Sequence, residues 1–454
     1  MAAGAILTLW IVLYLLQQGG ETLLTLLNLR HGARHPRPPA ELEEVLDTAT
    51  VARMHDYQRA RSRLGLVRRA LVAAVTVAVV TGGGLGALDR VLAGWLSARG
   101  IASPLLAGAA FVALLAVAST LLTLGIRLYG QFVIEERFGF NRMTVATFFF
   151  DVLKSLLLTL VLGVPLLLGL FWFMAETGDF WWIWAFCFVA AFQLLVNYLY
   201  QPLIAPLFNK FRPLAEGTLK ERLVTLAERL RFRVKSVLVM DGSRRSGHSN
   251  AYFAGFGGAK RIVLFDTLLG TLDEPQVEAV LAHEIGHEKR RHVLKHVALS
   301  LLLTLLGLWL ISVLLHQPAL FAAFGFHAAG AGAGAGQPSS HAALVILSLL
   351  WGPATFFLQP AANAWIRRHE YEADRYAARA TGGAGALAYT LAPDSGSLAD
   401  ALPGLGFTAN TRVLAGTPSA VKSAVTLTYK VTDANSVSAS VTFTVTVVAA
   451  PTLD

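Results

Sequence analysis

Apolar residues in this chain come in long unbroken runs rather than in the short alternations of a soluble fold. Seven runs approach the length of about 20 residues that a helix needs to cross a bilayer. They lie approximately at Ala2 to Leu16, Arg69 to Leu88, Pro104 to Ile126, Val152 to Met174, Phe180 to Tyr200, Val297 to Leu315 and Ala342 to Gln359. The first is short and extends, with interruptions, through Leu23 to Leu29. No basic stretch precedes it and no clear cleavage site follows, so it reads as an uncleaved anchor. Gly82 to Gly84 fall inside the second run, where small residues let helices pack closely.

The pattern changes between the fifth and sixth runs. Leu207 to His292 is the largest polar segment before the C-terminal tail. Glu216 to Arg231 repeats apolar residues with a helical period. Val234 to Met240 and Lys260 to Phe265 are strand candidates, and Asn250 to Phe256 is expected to pair between them. Asp273 suits a helix N-cap and Pro275 the first turn, so a further helix opens there. After the last run, Val441 to Val448 alternates Val and Phe with Thr, the period-two signature of a strand. The Ala-Gly repeat and Gln-Pro-Ser-Ser within His327 to Ser340 read as a flexible extracytoplasmic linker.

Composition agrees with the runs. Of 454 residues, 55% are hydrophobic and 15% charged, more apolar surface than a soluble domain buries. The formal net charge of +9 invites a nucleic-acid reading. The basic residues, however, fall mainly between apolar runs, as membrane topology requires, and no nucleic-acid partner is expected. Leu29 to Arg68 is rich in arginine, Arg367 and Arg368 follow the last run, and Gln317 to His341 holds no Lys or Arg. The positive-inside rule then places the N-terminus outside and the long polar segment in the cytoplasm. The single cysteine, Cys187, excludes an intrachain disulfide.

Candidate chemistry sits on the helix opened by Asp273. His283-Glu284-Ile285-Gly286-His287 places two imidazoles four residues apart, on one helix face, where both reach one metal. Zinc suits such ligands and lowers the pKa of a bound water to about 7, with Glu284 placed to accept the proton. Gly286 is costly inside a helix, and close approach of another element would account for it. A catalytic zinc site needs a third protein ligand. The segment Arg367-Arg368-His369-Glu370-Tyr371-Glu372-Ala373-Asp374 is the best source. Glu370 and Asp374 are one turn apart, so a ligand and a carboxylate orienting His283 or His287 can share a face. Glu372 and His369 compete as ligands.

Together these segments resemble the type I CAAX prenyl endopeptidases, integral-membrane zinc metalloproteases with seven spans. Leu27-Asn28-Leu29-Arg30-His31 is similar to the end of their first span, and Glu136-Arg137-Phe138-Gly139-Phe140-Asn141 to their signature after the third. His248-Ser249-Asn250-Ala251-Tyr252-Phe253 and Lys260-Arg261-Ile262-Val263-Leu264-Phe265-Asp266 are similar to their strands before the catalytic helix. The resemblance covers about Met1 to Leu391. It implies one Zn2+ per chain held by His283, His287 and Glu370, with Glu284 as general base. It implies Asp374 and Arg368 as supports of the site and Asn250 beside the substrate backbone. His292 matches a histidine after the family's zinc helix and reads as a surface histidine or one behind the metal ligands, with no catalytic role. The resemblance implies membrane lipid and a peptide or lipidated protein as partners, with a prenylated C-terminal tail cleaved in a chamber walled by helices.

The expected fold is mainly α: a seven-span helical membrane protein with a cytoplasmic zincin-like α/β catalytic segment and a short C-terminal β segment. The expected division is 1–206 for spans one to five with basic cytoplasmic loops, 207–295 for the catalytic segment, 296–391 for the last two spans and third-ligand helix, and 392–454 for a β-rich tail. Past Leu391 the family resemblance ends, and no late His-Pro element follows. Thr428-Tyr429-Lys430-Val431-Thr432-Asp433-Ala434-Asn435 and its surroundings instead resemble part of a bacterial immunoglobulin-like repeat. The competing functions are membrane-protein quality control by the same chemistry and an inactive anchor displaying a β adhesion module. Cleavage of unprenylated membrane segments favours the first, and outside exposure of Val441 to Val448 the second.

Overall fold

The computed structural model describes residues 2–38, 47–232, 234–254, 260–326 and 339–381, and beyond them the strands at 388–393, 405–408, 413–416, 422–432 and 438–447. The Ala-Gly stretch at 327–338 lies outside these. In chain order the helices and strands are α1 (Ala3–Arg34), α2 (Thr48–Thr81), α3 (Gly84–Ser97), α4 (Pro104–Tyr129), α5 (Val145–Glu176), α6 (Trp181–Leu199), β1 (Phe211–Pro213), α7 (Thr218–Arg229), β2 (Ser236–Met240), β3 (Ala251–Ala254), β4 (Arg261–Phe265), α8 (Asp266–Thr271), α9 (Glu274–Lys289), α10 (His292–Leu314), α11 (Pro318–Ala323), α12 (Ser340–Phe356) and α13 (Gln359–Ala380). Strands β5 (Ala388–Pro393), β6 (Leu405–Thr408), β7 (Val413–Gly416), β8 (Lys422–Thr432) and β9 (Ser438–Val447) follow. They form two compact units, one of residues 1–211, 240–249 and 294–365, the other of 212–239, 250–293 and 366–454.

The first unit holds the apolar helices. Those beginning at Ala3, Thr48, Pro104, Val145, Gly178 and His292 are each long and apolar enough to cross a membrane. Only 6% to 17% of the most apolar window of each is buried, so most of that surface is left for lipid. The chain is a multi-pass integral membrane protein. The seventh expected run coincides with α12 and ends where α12 meets α13 at a 70° bend; the pair makes a seventh crossing if counted together. Pro360 opens the second of the two helices and cannot donate the backbone bond that would continue the first.

Gly82 to Gly84 also behave differently from the expectation of an uninterrupted span. Helix α2 ends at Thr81, Gly83 takes φ +66°, and α3 starts at Gly84. Close packing does occur one turn on. A Cβ on Gly86 would lie 1.7 Å from the Gly325 carbonyl oxygen, a contact that excludes every other residue type. The core beside it is aromatic. Trp10 is buried, stacks on Tyr14 at 5.1 Å, meets Phe324 edge-on at 5.4 Å and donates Nε1–H to the Leu349 carbonyl at 3.0 Å.

The motif after α4 is a reversal built by backbone bonds. A π-helical turn spans Gly130–Glu135, Gly139 has φ +79°, and the N–H groups of Phe140 and Asn141 donate to the Glu135 carbonyl at 2.8 and 3.1 Å. The buried Glu135 carboxylate accepts from Tyr57 Oη at 2.8 Å and pairs with Arg61 at 3.3 Å.

The second unit contains a four-stranded sheet in the order β1-β2-β4-β3. Strand β3 pairs antiparallel with β4, Ala251 opposite Leu264 and Ala254 opposite Arg261. It is therefore an edge strand, not the expected middle one. The central place next to β2 goes to β4, whose Ile262, Val263 and Leu264 are buried on both faces. Leu223 and Leu226 of α7 and Val277, Leu281 and Ile285 of α9 belong to the same fully buried cluster. Beyond α13, β5, β8 and β9 form an antiparallel sheet, and β6 and β7 form a separate pair. The alternating Val/Phe-Thr run falls in β9, whose last residue is Val447, with Val448 outside the described residues.

Candidate active site

Helix α9 is fixed at its start by a capping box. The Asp273 carboxylate accepts from Gln276 N–H at 2.9 Å, the Gln276 side-chain oxygen accepts from Asp273 N–H at 3.0 Å, and Pro275 occupies the first turn. Its inner face (Val277, Leu281, Ile285) is locked into the core, which fixes the rotation that presents His283 and His287 together. Helix α13 approaches at Gly286. A Cβ there would lie 3.1 Å from Ala373 Cα, Ala373 O and Tyr376 Cβ, so the glycine is explained by the near contact its cost implied. Ala373 is the residue just before Asp374 and three after Glu370, so this one contact sets the height of both carboxylates.

Three donor atoms converge. His283 Nε2 and His287 Nε2 are 3.0 Å apart, and each is 3.5 Å from Glu370 Oε2. The edges of a tetrahedron with ligands about 2.0–2.1 Å from its centre measure about 3.3–3.4 Å, so the triangle fits a zinc-sized ion. Two imidazole nitrogens and one carboxylate oxygen are the donor set of a catalytic zinc site with a fourth position open. His283 turns its other nitrogen, Nδ1, to Asp374 Oδ1 at 2.8 Å. Burial lowers the His287 pKa; Glu370 opposes this, while His283 and His292 add to it, a direction that favours the neutral ring a metal ligand needs. Burial pushes the Glu284 carboxyl up, with His283 lowering it and Glu370 raising it.

Of the other residues singled out in the sequence, Arg368 donates Nε–H to Glu372 Oε1 at 3.0 Å, so it adjoins the site through Glu372. Asn250 is exposed at the start of β3, and its side-chain oxygen accepts from Ala251 N–H at 2.8 Å while its carbonyl accepts from Phe265 N–H at 3.0 Å. Glu372, weighed as a rival ligand, faces His292 instead, with Oε2 3.2 Å from His292 Nε2. His292 and His369 are buried and stacked, their ring centroids 4.0 Å apart.

A family model described as CAAX prenyl protease N-terminal, five membrane helices, matches residues 28–210, and the model of peptidase family M48 matches residues 213–404. The CAAX prenyl protease 1 homolog of Mus musculus is 32% identical over 380 residues, which cover 75% of this chain and 78% of the mouse protein. This chain belongs to the CAAX prenyl protease family. CAAX prenyl protease 1 of Saccharomyces cerevisiae is 39% identical over 276 residues, 59% of this chain and 60% of the yeast protein. The crystal structure of S. mikatae Ste24p superposes with a TM-score of 0.76 at 30% identity, covering 82% of this chain and 88% of that one. This CAAX prenyl protease family member is thus a membrane metalloendopeptidase and carries a metal cofactor. Residues 370–448 also match a model described as a putative Ig domain, which overlaps the end of the peptidase match.

Helical spacing could not single out His292 in this CAAX prenyl protease chain. It lies five residues past His287 and beyond the end of α9, where Arg291 turns the chain with φ +55° before α10 begins. The sequence signal that remains is chemical: a histidine just outside the zinc helix and a second carboxylate two residues after Glu370.

Proposed function

We propose that this chain hydrolyses peptide bonds at one zinc ion held by His283, His287 and Glu370, with Glu284 as general base. The observation that carries this is the 3.0–3.5 Å triangle of His283 Nε2, His287 Nε2 and Glu370 Oε2 next to the Glu284 carboxylate in sequence and on the helix. Bound there, zinc would supply Lewis acidity toward water and the scissile carbonyl. Glu284 takes a proton from the attacking water and delivers it to the leaving amine. Asp374 holds His283 with Nε2 facing inward, and Arg368 steadies the neighbouring Glu372.

The substrate class we infer is a prenylated C-terminal tail, because the relatives carry the name CAAX prenyl protease. Among the described residues β3 is the outer strand of its sheet, so we infer that an extended peptide adds alongside it, with Asn250 at the start of that strand. A prenyl chain contributes about 0.8 kcal/mol per buried methylene, which favours a substrate that reaches the enzyme from lipid. The charge distribution supports a catalytic segment on the cytoplasmic side. In domain terms we assign spans one to five to 1–206, the catalytic segment to 207–295, the last spans and third-ligand helix to 296–391, and an appended immunoglobulin-like tail to 392–454, whose sheet reaches back to Ala388 through β5.

The test combines metal analysis with cleavage of prenylated and plain peptides. Wild type should hold one zinc per chain. His287→Ala and Glu370→Ala should lose it, and Glu372→Ala should retain it at stoichiometric loading. Full zinc in Glu370→Ala, with loss in Glu372→Ala, would reverse the third-ligand assignment. Equal cleavage of plain membrane segments would shift the substrate class toward quality control.

A further inference from the structure

The two histidines of the proposed centre do not have the same kind of outer partner. His283 Nδ1 meets the Asp374 carboxylate, while His287 Nδ1 meets another imidazole, His292 Nδ1, at 3.0 Å. A contact between two ring nitrogens is a hydrogen bond only if one carries the proton and the other is bare. His287 must keep Nε2 bare to bind an ion, so its proton sits on Nδ1 and is donated to His292. That requires His292 to be bare at Nδ1 and protonated at Nε2. The far side of the ring satisfies this: His292 Nε2 faces Glu372 Oε2 at 3.2 Å, an acceptor-only group, and Arg368 donates to the other carboxylate oxygen. Each donor in the row meets an acceptor, and the row runs in one direction only.

We propose that His292 is a positioning residue. It fixes the tautomer and the ring orientation of His287 through a Glu372–His292–His287 relay, the counterpart of Asp374 on His283. The proposal rests on the metal-site reading above. His292 is only 2% exposed and its ring is stacked at 12° on the buried His369, so it cannot turn away from His287 without opening the core. A plain packing role for His292 would need the volume and the stack. It would not need the ring to present an acceptor to His287 on one edge and a donor to a carboxylate on the other.

The experiment uses the full chain in detergent and measures zinc affinity by chelator competition, with melting of the metal-free protein as the control for folding. Wild type, His292→Leu, His292→Asn and His287→Ala are compared. The asparagine side-chain oxygen can stand where His292 Nδ1 stands and accept the His287 proton, whereas leucine cannot. We expect His292→Leu to bind zinc about 10–100-fold more weakly, the usual range for an outer partner of a metal ligand. His292→Asn should recover most of that loss while melting, metal-free, no higher than His292→Leu. Wild-type affinity in His292→Leu, or equal weakening in both variants, overturns the relay. Should His292→Leu not fold, Glu372→Leu carries the same test from the far end of the row: weakened zinc binding supports the relay and unchanged binding overturns it. The underlying site reading fails separately, by undiminished zinc affinity in His287→Ala.

Discussion

Burial lifts the Glu284 carboxyl above the usual carboxylate range; the nearby His283 lowers it and Glu370 raises it again. A carboxyl shifted up on folding stabilises the fold below its unfolded pKa, and that contribution is lost as pH rises through the folded pKa. At neutral pH the charged base is therefore a burden on the metal-free protein. Glu284→Gln, stripped of metal, should melt above wild type at pH 7.5, and the gap should close as the pH falls toward 4.5. A gap that widens on acidification would contradict the burial argument. The same variant should keep its metal and lose hydrolysis by at least about a hundredfold, the range for removing a general base, as checked by peptide cleavage at saturating zinc. His283, Glu284 and His287 were legible because helical spacing alone puts two imidazoles on one face. Glu370 was legible only through its turn-apart pairing with Asp374 and the family resemblance. Spacing does not point to His292, because the turn at Arg291 lies between it and the zinc helix; only the family resemblance marks it.

At the scale of elements, the site depends on how near two helices come. Gly286 lets α13 lie against α9 with backbone atoms 3.1 Å from where a side chain would begin. Gly286→Val should push α13 away and carry Glu370 and Asp374 with it. Zinc affinity should fall by at least an order of magnitude, approaching that of Glu370→Ala, while the sheet and its core persist in circular dichroism. Wild-type affinity in this variant would show that α13 is held by other contacts. The sequence disclosed the cost of this glycine but not its partner, because the partner is far along the chain. Helix starts were legible where the cap is chemical, as at Asp273 and Pro275. Strand order is not: chain order suggests β3 as a middle strand, whereas burial gives the central place to β4.

At the scale of the whole molecule, apolar run length predicts the membrane helices and misses the break at the glycines after Thr81, while the 70° bend before α13 falls where the seventh run ends. Hydropathy averages over such breaks; only backbone preferences at Gly and Pro mark them. The tail brings its own prediction. Strand β5 begins at Ala388 and pairs along its whole length with β8, so the added sheet starts earlier than composition suggests. A chain ending at Thr381 should bind zinc like the full protein and run as a single species in size-exclusion chromatography. A chain ending at Asp394 keeps β5 without β8, exposes an unpaired strand edge and should aggregate. Loss of zinc in the shorter chain would make the tail integral to the centre. The α9–α13 arrangement also has a temporal side. His283 and its partner Asp374 are 91 residues apart in the chain, with α10 and α12 between them. During synthesis the histidines leave the ribosome first and have only each other to offer an ion. Glu370 follows only after α10 and α12, so the proposed donor set stays incomplete until α13 is made.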